Sequence, residues 1–297
     1  MLLILCVSML VGACLNNRFV VGTLYNRIDN QMRKAFHKLT RFDDEQITML
    51  DARVLAFHNW HREAELPRYA ALADEVGAHL VDDTVSDTLV QRWFDTLDTF
   101  SQNVRACYPA NFSTPVFQSL DQAQLADIRA RLERRLQRSR NRYRNETPED
   151  RVARRVARMN TWSRRIDLEL RPDQLEMLRE MFRNQNALTL KYYALYEVWL
   201  SRMFRLAAAP VTAENTAALD RQMASLWGML ERQYPDEWQT NRELWETTLH
   251  KLFESFDSEQ RTAFGTWLGR FANNLRRVSR NGPERAQDYD AALGCMP

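Results

Sequence analysis

Apolar residues recur along almost the whole chain at intervals of three and four, the spacing that lines one face of an α-helix. Leu24, Ile28, Met32, Phe36 and Leu39 form the first such stripe. Ile47, Leu50, Val54, Phe57 and His61 form a second, running to "ELPRY", where Pro67 is expected to kink or break the helix. Leu89, Trp93, Leu97, Phe100 and Val104 line a third, and Leu125, Ile128, Leu132 and Leu136 a fourth. "ETPEDRVARRV" restarts the chain with Thr147 as N-cap, Pro148 at the first helical position and Asp150 near the positive helix end. A long stretch over 172–208 carries Leu175, Leu178, Phe182, Tyr192, Tyr196, Trp199 and Met203, with a polar "RNQN" centre as its bend. Thr212 caps the helix after it, which Tyr234-Pro235 ends. Leu249, Leu252 and Phe256, then Phe264, Trp267, Leu268, Phe271 and Leu275, make the last two stripes. No run of useful length alternates at strand period. The pattern predicts an all-α fold, a multi-helix bundle of eight or nine helices.

One short pattern returns four times: an apolar residue, three positions, then Gln. It stands in "RFDDEQI", "SLDQAQL", "ELRPDQL" and "SFDSEQR". Asp43, Asp121 and Asp257 fall where N-caps belong, and Gln46, Gln124 and Gln260 fall three residues later, the spacing of a capping box. Phe42 with Ile47, and Leu120 with Leu125, have the spacing of a hydrophobic staple. The third copy keeps a staple (Leu170, Leu175) and Gln174 but offers Arg171 at the cap. The fourth keeps the box and has Arg261 at the apolar site. A local device for starting helices accounts for every shared position without a ligand.

Composition agrees with helices: 297 residues, 45% hydrophobic, with only 8 Gly and 9 Pro. A net charge of +2 gives no global argument for nucleic acid, which is not an expected partner. The first residues, "MLLILCVSMLVGAC", form an apolar run too short to span a bilayer, ending in small residues before a Cys. "VGAC" resembles a bacterial lipobox, which implies a signal peptide over 1–13 and lipidation of Cys14. No Lys or Arg precedes the run, a departure from that pattern. Leu15 after the Cys, rather than Asp, points to the periplasmic face of the outer membrane under the sorting pattern of such lipoproteins. The expected organisation is therefore 1–13 signal, 14–280 one helical domain and 281–297 a tail. In an oxidising compartment Cys107 and Cys295 are a possible disulfide.

Two resemblances follow from these motifs. The Gln repeat resembles the LTxxQ motif of Spy/CpxP-like periplasmic chaperones, helical cradles about half this length. Over most of the mature chain, "LYNRIDNQ", "FHNWHREAELPRYA" and "EDRVARRVARMNTWSRRI" are similar to an uncharacterised family of proteobacterial lipoproteins. That family carries a Tyr-Asn segment and a "WHRxxxLPxY" segment after the lipidated Cys. The matching positions are Trp60, His61, Arg62, Leu66, Pro67 and Tyr69. The resemblance implies location and fold, not chemistry.

Catalytic signatures are few. There is no Gly-x-Ser-x-Gly elbow, Gly-rich phosphate loop or Cys-x-x-Cys. His58, His61 and Glu65 share one helix side and have ligand chemistry, but no second Glu-x-x-His unit completes a dinuclear site. The expected reading is therefore no metal and no cofactor, with His61 finishing an apolar stripe. The binding candidate is an arginine-rich hairpin. Arg131, Arg134, Arg138 and Arg142 run opposite Leu125, Ile128, Leu132 and Leu136; Arg151, Arg154, Arg155 and Arg158 run opposite Val152, Val156 and Met159. Packed antiparallel, the two stripes merge into one surface for anionic lipid, lipopolysaccharide, cell-wall polymer or an acidic client protein. The chain thus reads as a lipid-anchored envelope factor that works by binding, chaperone-like and without catalysis. An envelope enzyme acting on cell-wall or lipid substrates is the alternative.

Overall fold

The computed structural model describes residue 25 and residues 27–108 and 113–280, all of the regular structure helical. Helix α1 (Ile28–His37) leads into α2 (Asp44–Trp60), which continues through a π-helical turn (His61–Glu65) into α3 (Leu66–Val81). Helix α4 (Asp87–Tyr108), the five-residue α5 (Thr114–Gln118), α6 (Gln122–Asn145) and α7 (Pro148–Arg165) complete the first half. The second half holds α8 (Pro172–Asn184), α9 (Thr189–Ala207), α10 (Ala213–Ser225), the five-residue α11 (Met229–Gln233), α12 (Pro235–Glu254) and α13 (Ser258–Arg280). With α2 and α3 counted as one continuous rod, the described residues form 12 helices and no strand.

The expected eight or nine was too few, because two breaks were hidden in periodic stretches and the short α5 forms where the sequence reads as a connection. The stretch over 172–208 stops rather than bends. Gln185 turns to extended backbone, and Asn241 of α12 satisfies the freed groups, accepting from the Asn186 N–H at 2.7 Å and donating to its carbonyl at 3.0 Å. Further on, Gly228 takes a left-handed conformation (φ 68°) that separates α10 from α11. Tyr234-Pro235 ends a helix as expected, Tyr234 closing α11, and it also opens α12, with Pro235 at a position that needs no N–H. Leu97, placed on a buried stripe by its spacing, is 46% exposed.

Two hydrophobic cores form, and each draws helices from both halves of the chain. One gathers Leu50 and Val54 of α2, Leu125, Ile128 and Leu136 of α6, Leu200, Met203 and Phe204 of α9, and Leu219 of α10. The other gathers Leu66, Ala70 and Leu80 of α3, Trp93 of α4, Val156 of α7, Leu178 and Phe182 of α8, Phe253 of α12, and Trp267, Leu268 and Ala272 of α13. From α2 onward the chain therefore crosses between cores five times: at the π-turn, between α4 and α5, between α6 and α7, between α8 and α9, and between α10 and α12. The exchange is reciprocal: α3 leaves the first core to lie along α13, while α9 leaves the second to lie along α6.

The four Gln motifs start the helices at the hearts of these cores, and they pair two by two. Asp43 and Gln46 form a full capping box on α2, as do Asp121 and Gln124 on α6. The two glutamines then exchange amide hydrogen bonds across the core, Gln46 Nε2 to Gln124 Oε1 at 2.9 Å and Gln124 Nε2 to Gln46 Oε1 at 2.7 Å. Each Nε2 has a second hydrogen, which reaches the partner motif's backbone: Gln46 to the Ser119 carbonyl (2.6 Å) and Gln124 to the Arg41 carbonyl (2.8 Å). Gln174 and Gln260 repeat the arrangement at 2.9 and 2.8 Å. Their remaining hydrogens go to Ser255 Oγ (3.0 Å) and the Glu169 carbonyl (2.6 Å).

Arg171, the irregular cap, has a reason in this setting. A guanidinium offers no acceptor, so only half the box forms on α8, from the Arg171 N–H to Gln174 Oε1 at 2.9 Å. Its side chain instead donates to Gln260 Oε1 and to the Ser255 carbonyl, both at 2.8 Å, binding the opposite motif. The glutamine repeat is thus a tertiary joint as well as a helix start.

Helix α3 meets α13 antiparallel along a seam where backbones approach. A Cβ on Gly77 would stand 3.5 Å from the Gly265 carbonyl oxygen, and one on Gly265 would stand 3.3 Å from that of Gly77. Asp83 with Arg261 (2.7 Å) and Asp74 with Arg276 close the seam's margins.

Replacing Gln124 with Leu removes one donor and one acceptor contact of the Gln46 amide and the bonds that Gln124 makes to the Asp121 N–H and the Arg41 carbonyl. It is expected to lower stability by about 2–4 kcal/mol in urea denaturation. Because the pair shares its bonds, Gln46→Leu with Gln124→Leu should cost roughly 1–2 kcal/mol less than the sum of the single changes. Strict additivity would show that the amides do not act as a pair.

Candidate functional site

The π-turn is where the resemblance-carrying segment "WHREAELPRY" lies. Pro67 lacks an N–H, and the chain meets that loss by adding a residue to the turn: the Leu66 N–H reaches back five residues to the His61 carbonyl. Pro67 then stands in the first turn of α3, where its missing donor is tolerated. The wider turn brings Arg62 (3% exposed), Glu65 (0%) and Leu66 (2%) inward together. Trp60 is buried, Tyr69 half-buried and Pro67 exposed.

A line of polar side chains runs through this turn. The Tyr25 hydroxyl lies 2.8 Å from His61 Nδ1, and the Tyr69 hydroxyl lies 3.4 Å from His61 Nε2. Tyr69 also bonds Glu65, which accepts from Arg68 at 3.0 Å and from Asn103 of α4 at 3.2 Å. A carboxylate only accepts, so Tyr69 donates to Glu65 and accepts from Nε2–H; Nδ1 is left to accept from Tyr25. Arg62 donates to the Val278 carbonyl of α13 at 2.9 Å and lies 5.0 Å from the Tyr25 ring centre. The cluster thereby ties Tyr25, α2, α3, α4 and α13 to one point.

Burial controls the titration here. His61 is pushed down to about 4 by burial, with smaller contributions from His58 and Arg62, so the imidazole is neutral. Burial pushes the Glu65 carboxyl up, against the opposing pull of Arg68, Asn103 and Tyr69. Tyr69 is raised for the same reason, with Glu65 adding to it. His58, buried, lies with its ring centre 4.6 Å from that of Tyr25. Among the described residues no group of three or more His, Cys, Asp and Glu side chains is placed to hold a metal ion.

The arginine stripes do not merge by packing, contrary to the antiparallel expectation. Helix α6 lies along α9 in one core and α7 along α8 in the other. Arg131 donates to the Lys38 carbonyl at 2.9 Å. Arg151 donates to the Tyr143 carbonyl at 3.1 Å and covers the Tyr143 ring; Arg154 pairs with Glu146. Arg155 stands 4.1 Å over the Phe182 ring and donates to Gln185 Oε1 at 2.6 Å, so it is part of the joint between α7 and α8. Arg134, Arg138, Arg142 and Arg158 are exposed and make no ion pair among the described residues.

Cys107 is buried and disulfide-bonded. Its expected partner Cys295 lies outside the described residues, as does Cys14. Among the described residues no helix is long and apolar enough to cross a membrane. Sequence reading missed Asn103 and Val278 as partners of the π-turn, since nothing local marks a contact with α4 or α13.

The depressed His61 value has a signed consequence. Between pH 6.5 and 4 the unfolded chain takes up a proton that the folded chain refuses, so stability is full above pH 6.5 and falls toward pH 4. The shift amounts to about 3 kcal/mol at its limit. Glu65 acts in the opposite sense, its carboxylate costing stability at neutral pH and the cost easing on acidification. His61→Gln should therefore flatten the acid-side loss in thermal melts recorded from pH 7 to 4; an unchanged profile would contradict the assignment.

No curated protein and no solved structure matches the chain. The stretch that does match a family model holds the π-turn, the arginine helices and three of the four Gln motifs. The chain belongs to the DUF6279 family, a family of unknown function whose model matches residues 38–228.

Proposed function

We propose that this chain is an outer-membrane-anchored periplasmic lipoprotein that works by binding, a chaperone-like or envelope-maintenance factor rather than an enzyme. The observation that carries the binding role is the charge of α6 and α7. Residues 122–165 hold fourteen Arg against five Asp and Glu, while the whole chain is only +2. Several of these arginines project into solvent without an acid beside them. Guanidinium groups so placed suit forked contacts to phosphates and carboxylates. The anchor and the location rest on the apolar run before Cys14. The paired glutamine boxes support the likeness to LTxxQ-containing helical chaperones, and they serve as scaffold, not as the binding site.

An envelope enzyme is the second reading, favoured by the shifted His61 and Glu65 in one polar chain. Both His61 nitrogens lie against tyrosine hydroxyls, and Glu65 Oε1 accepts from Arg68 and Asn103, which supports a structural use of the cluster.

Metabolic labelling with a fatty acid analogue, with and without globomycin, tests the anchor: label is expected on Cys14 and absent from Cys14→Ala. For binding, Arg134→Glu, Arg138→Glu, Arg142→Glu and Arg158→Glu together should abolish suppression of client aggregation while leaving the melting temperature within a few degrees. Equal suppression by the variant would reject the arginine face as the contact surface.

A further inference from the structure

The exposed arginines of α6 are not alone on their side of the molecule. Arg131, Arg134, Arg138 and Arg142 follow one flank of the helix, beside the apolar face that enters the core. On that flank Arg131 is bonded to the Lys38 carbonyl, so the end of α1 lies against it. The start of α6 is held to the same place, because Gln124 donates to the Arg41 carbonyl. Lys34 and Lys38 stand one turn apart at the end of α1, and both are exposed, as is Arg41. Two segments ninety-three residues apart in sequence therefore contribute to one basic face. Of the acids around it, Asp43 and Asp121 cap helices and Glu133 pairs with Arg129 at 2.8 Å, which leaves exposed Asp127, one turn before Arg131, as a single negative charge on the α6 flank against four arginines.

We infer that this face, the end of α1 with the arginine flank of α6, docks on the phosphate headgroups of an anionic lipid bilayer. The inference rests on the lipoprotein reading above and names the anion that the basic surface meets. Three observations select a bilayer over an acidic protein. The charges stand on exposed helix ridges, and a shallow depression of the described surface, lined by Asp167, Ser258 and Arg270, is made by other elements. An exposed row matches a plane of phosphates better than it matches a chain that must be enclosed. Second, Ile28 is only fourteen residues beyond Cys14, so a chain anchored there holds α1 within roughly 50 Å of the bilayer. Tethering at that range raises the local concentration of headgroups around the face. Third, basic side chains in a row gain from a continuous surface of anionic headgroups, each one that stands near it adding to the attraction.

The test uses the full chain carrying Cys14→Ser, so that the result does not depend on lipidation. Co-sedimentation is measured with phosphatidylcholine vesicles and with vesicles that also contain phosphatidylglycerol, at low and high salt. Binding is expected only to the anionic vesicles and should fade as salt screens the charges. Lys34→Glu with Lys38→Glu, and separately Arg134→Glu, Arg138→Glu and Arg142→Glu, should each weaken it about tenfold. Arg164→Glu with Arg165→Glu, the same change of charge as the lysine pair but at the far end of α7, should leave it unaltered. Circular dichroism melts establish that each variant is folded, and the two sets on different helices guard against one that is not. Equal loss in the α7 control would mean that only net charge matters and would overturn the inference. So would unchanged binding by both face variants. Tight, face-dependent binding to polyglutamate without binding to vesicles would assign the surface to acidic proteins instead. Failure to label Cys14 bears on the anchor alone, since the vesicle measurement is made without it.

Discussion

A buried primary amide has two donors and an acceptor with two lone pairs, and leaving any of them unmatched in an apolar core is costly. The four glutamines of this chain stand in that position, and the architecture is arranged around satisfying them. Each accepts from its own helix start and from its partner amide, and each donates to the partner amide and to the other motif. The geometry works only when two helix N-termini meet with their boxes face to face. It therefore fixes which helices meet, and in what register, to a degree that leucine contacts alone do not. Arg171 shows how far this matters: a residue that cannot cap its own helix is placed where it strengthens the opposite box.

Local features were legible in the sequence, and long-range ones were not. The boxes at Asp43, Asp121 and Asp257 form where the spacing places them, and Thr147 caps its helix, because capping depends on residues three apart. The pairing of Gln46 with Gln124 and of Gln174 with Gln260 spans 78 and 86 residues, and no periodicity encodes a partner at that distance. Pro67 signalled an interruption correctly, but whether the chain breaks or widens its turn depends on the contacts waiting for Arg62 and Glu65. The arginine stripes were visible. Their relation was not, since "NETPED" marks a turn without saying whether the flanking helices close upon each other or part to join different cores. Leu97 shows the same limit, being periodic and yet facing water.

The polar and charged side chains fall into two kinds of use. At the π-turn, and around Arg242 with Asp95, Asp98 and Glu246, opposite charges and hydrogen-bonding groups are matched, and they join helices. Along α6 eight arginines stand against Asp127 and Glu133; Arg129 and Arg140 are paired, with Glu133 and Glu197, while Arg134, Arg138 and Arg142 make no ion pair among the described residues. A helix that self-repels in this way is held by its apolar face against α9, so burial of Leu125, Ile128 and Leu136 carries the electrostatic cost of presenting the arginines.

The reciprocal exchange of α3 and α9 governs when the molecule can close as it is made. The first core needs α9 and α10, and the second needs α13, whose last residue is Arg280. A growing chain that has reached α7 therefore holds neither core, however many helices it has formed. Its apolar faces remain open until the final segment emerges. Such a polypeptide stays threadable for most of its synthesis, the state that passage through a narrow translocation channel demands, and it becomes compact only when both ends are in the same compartment.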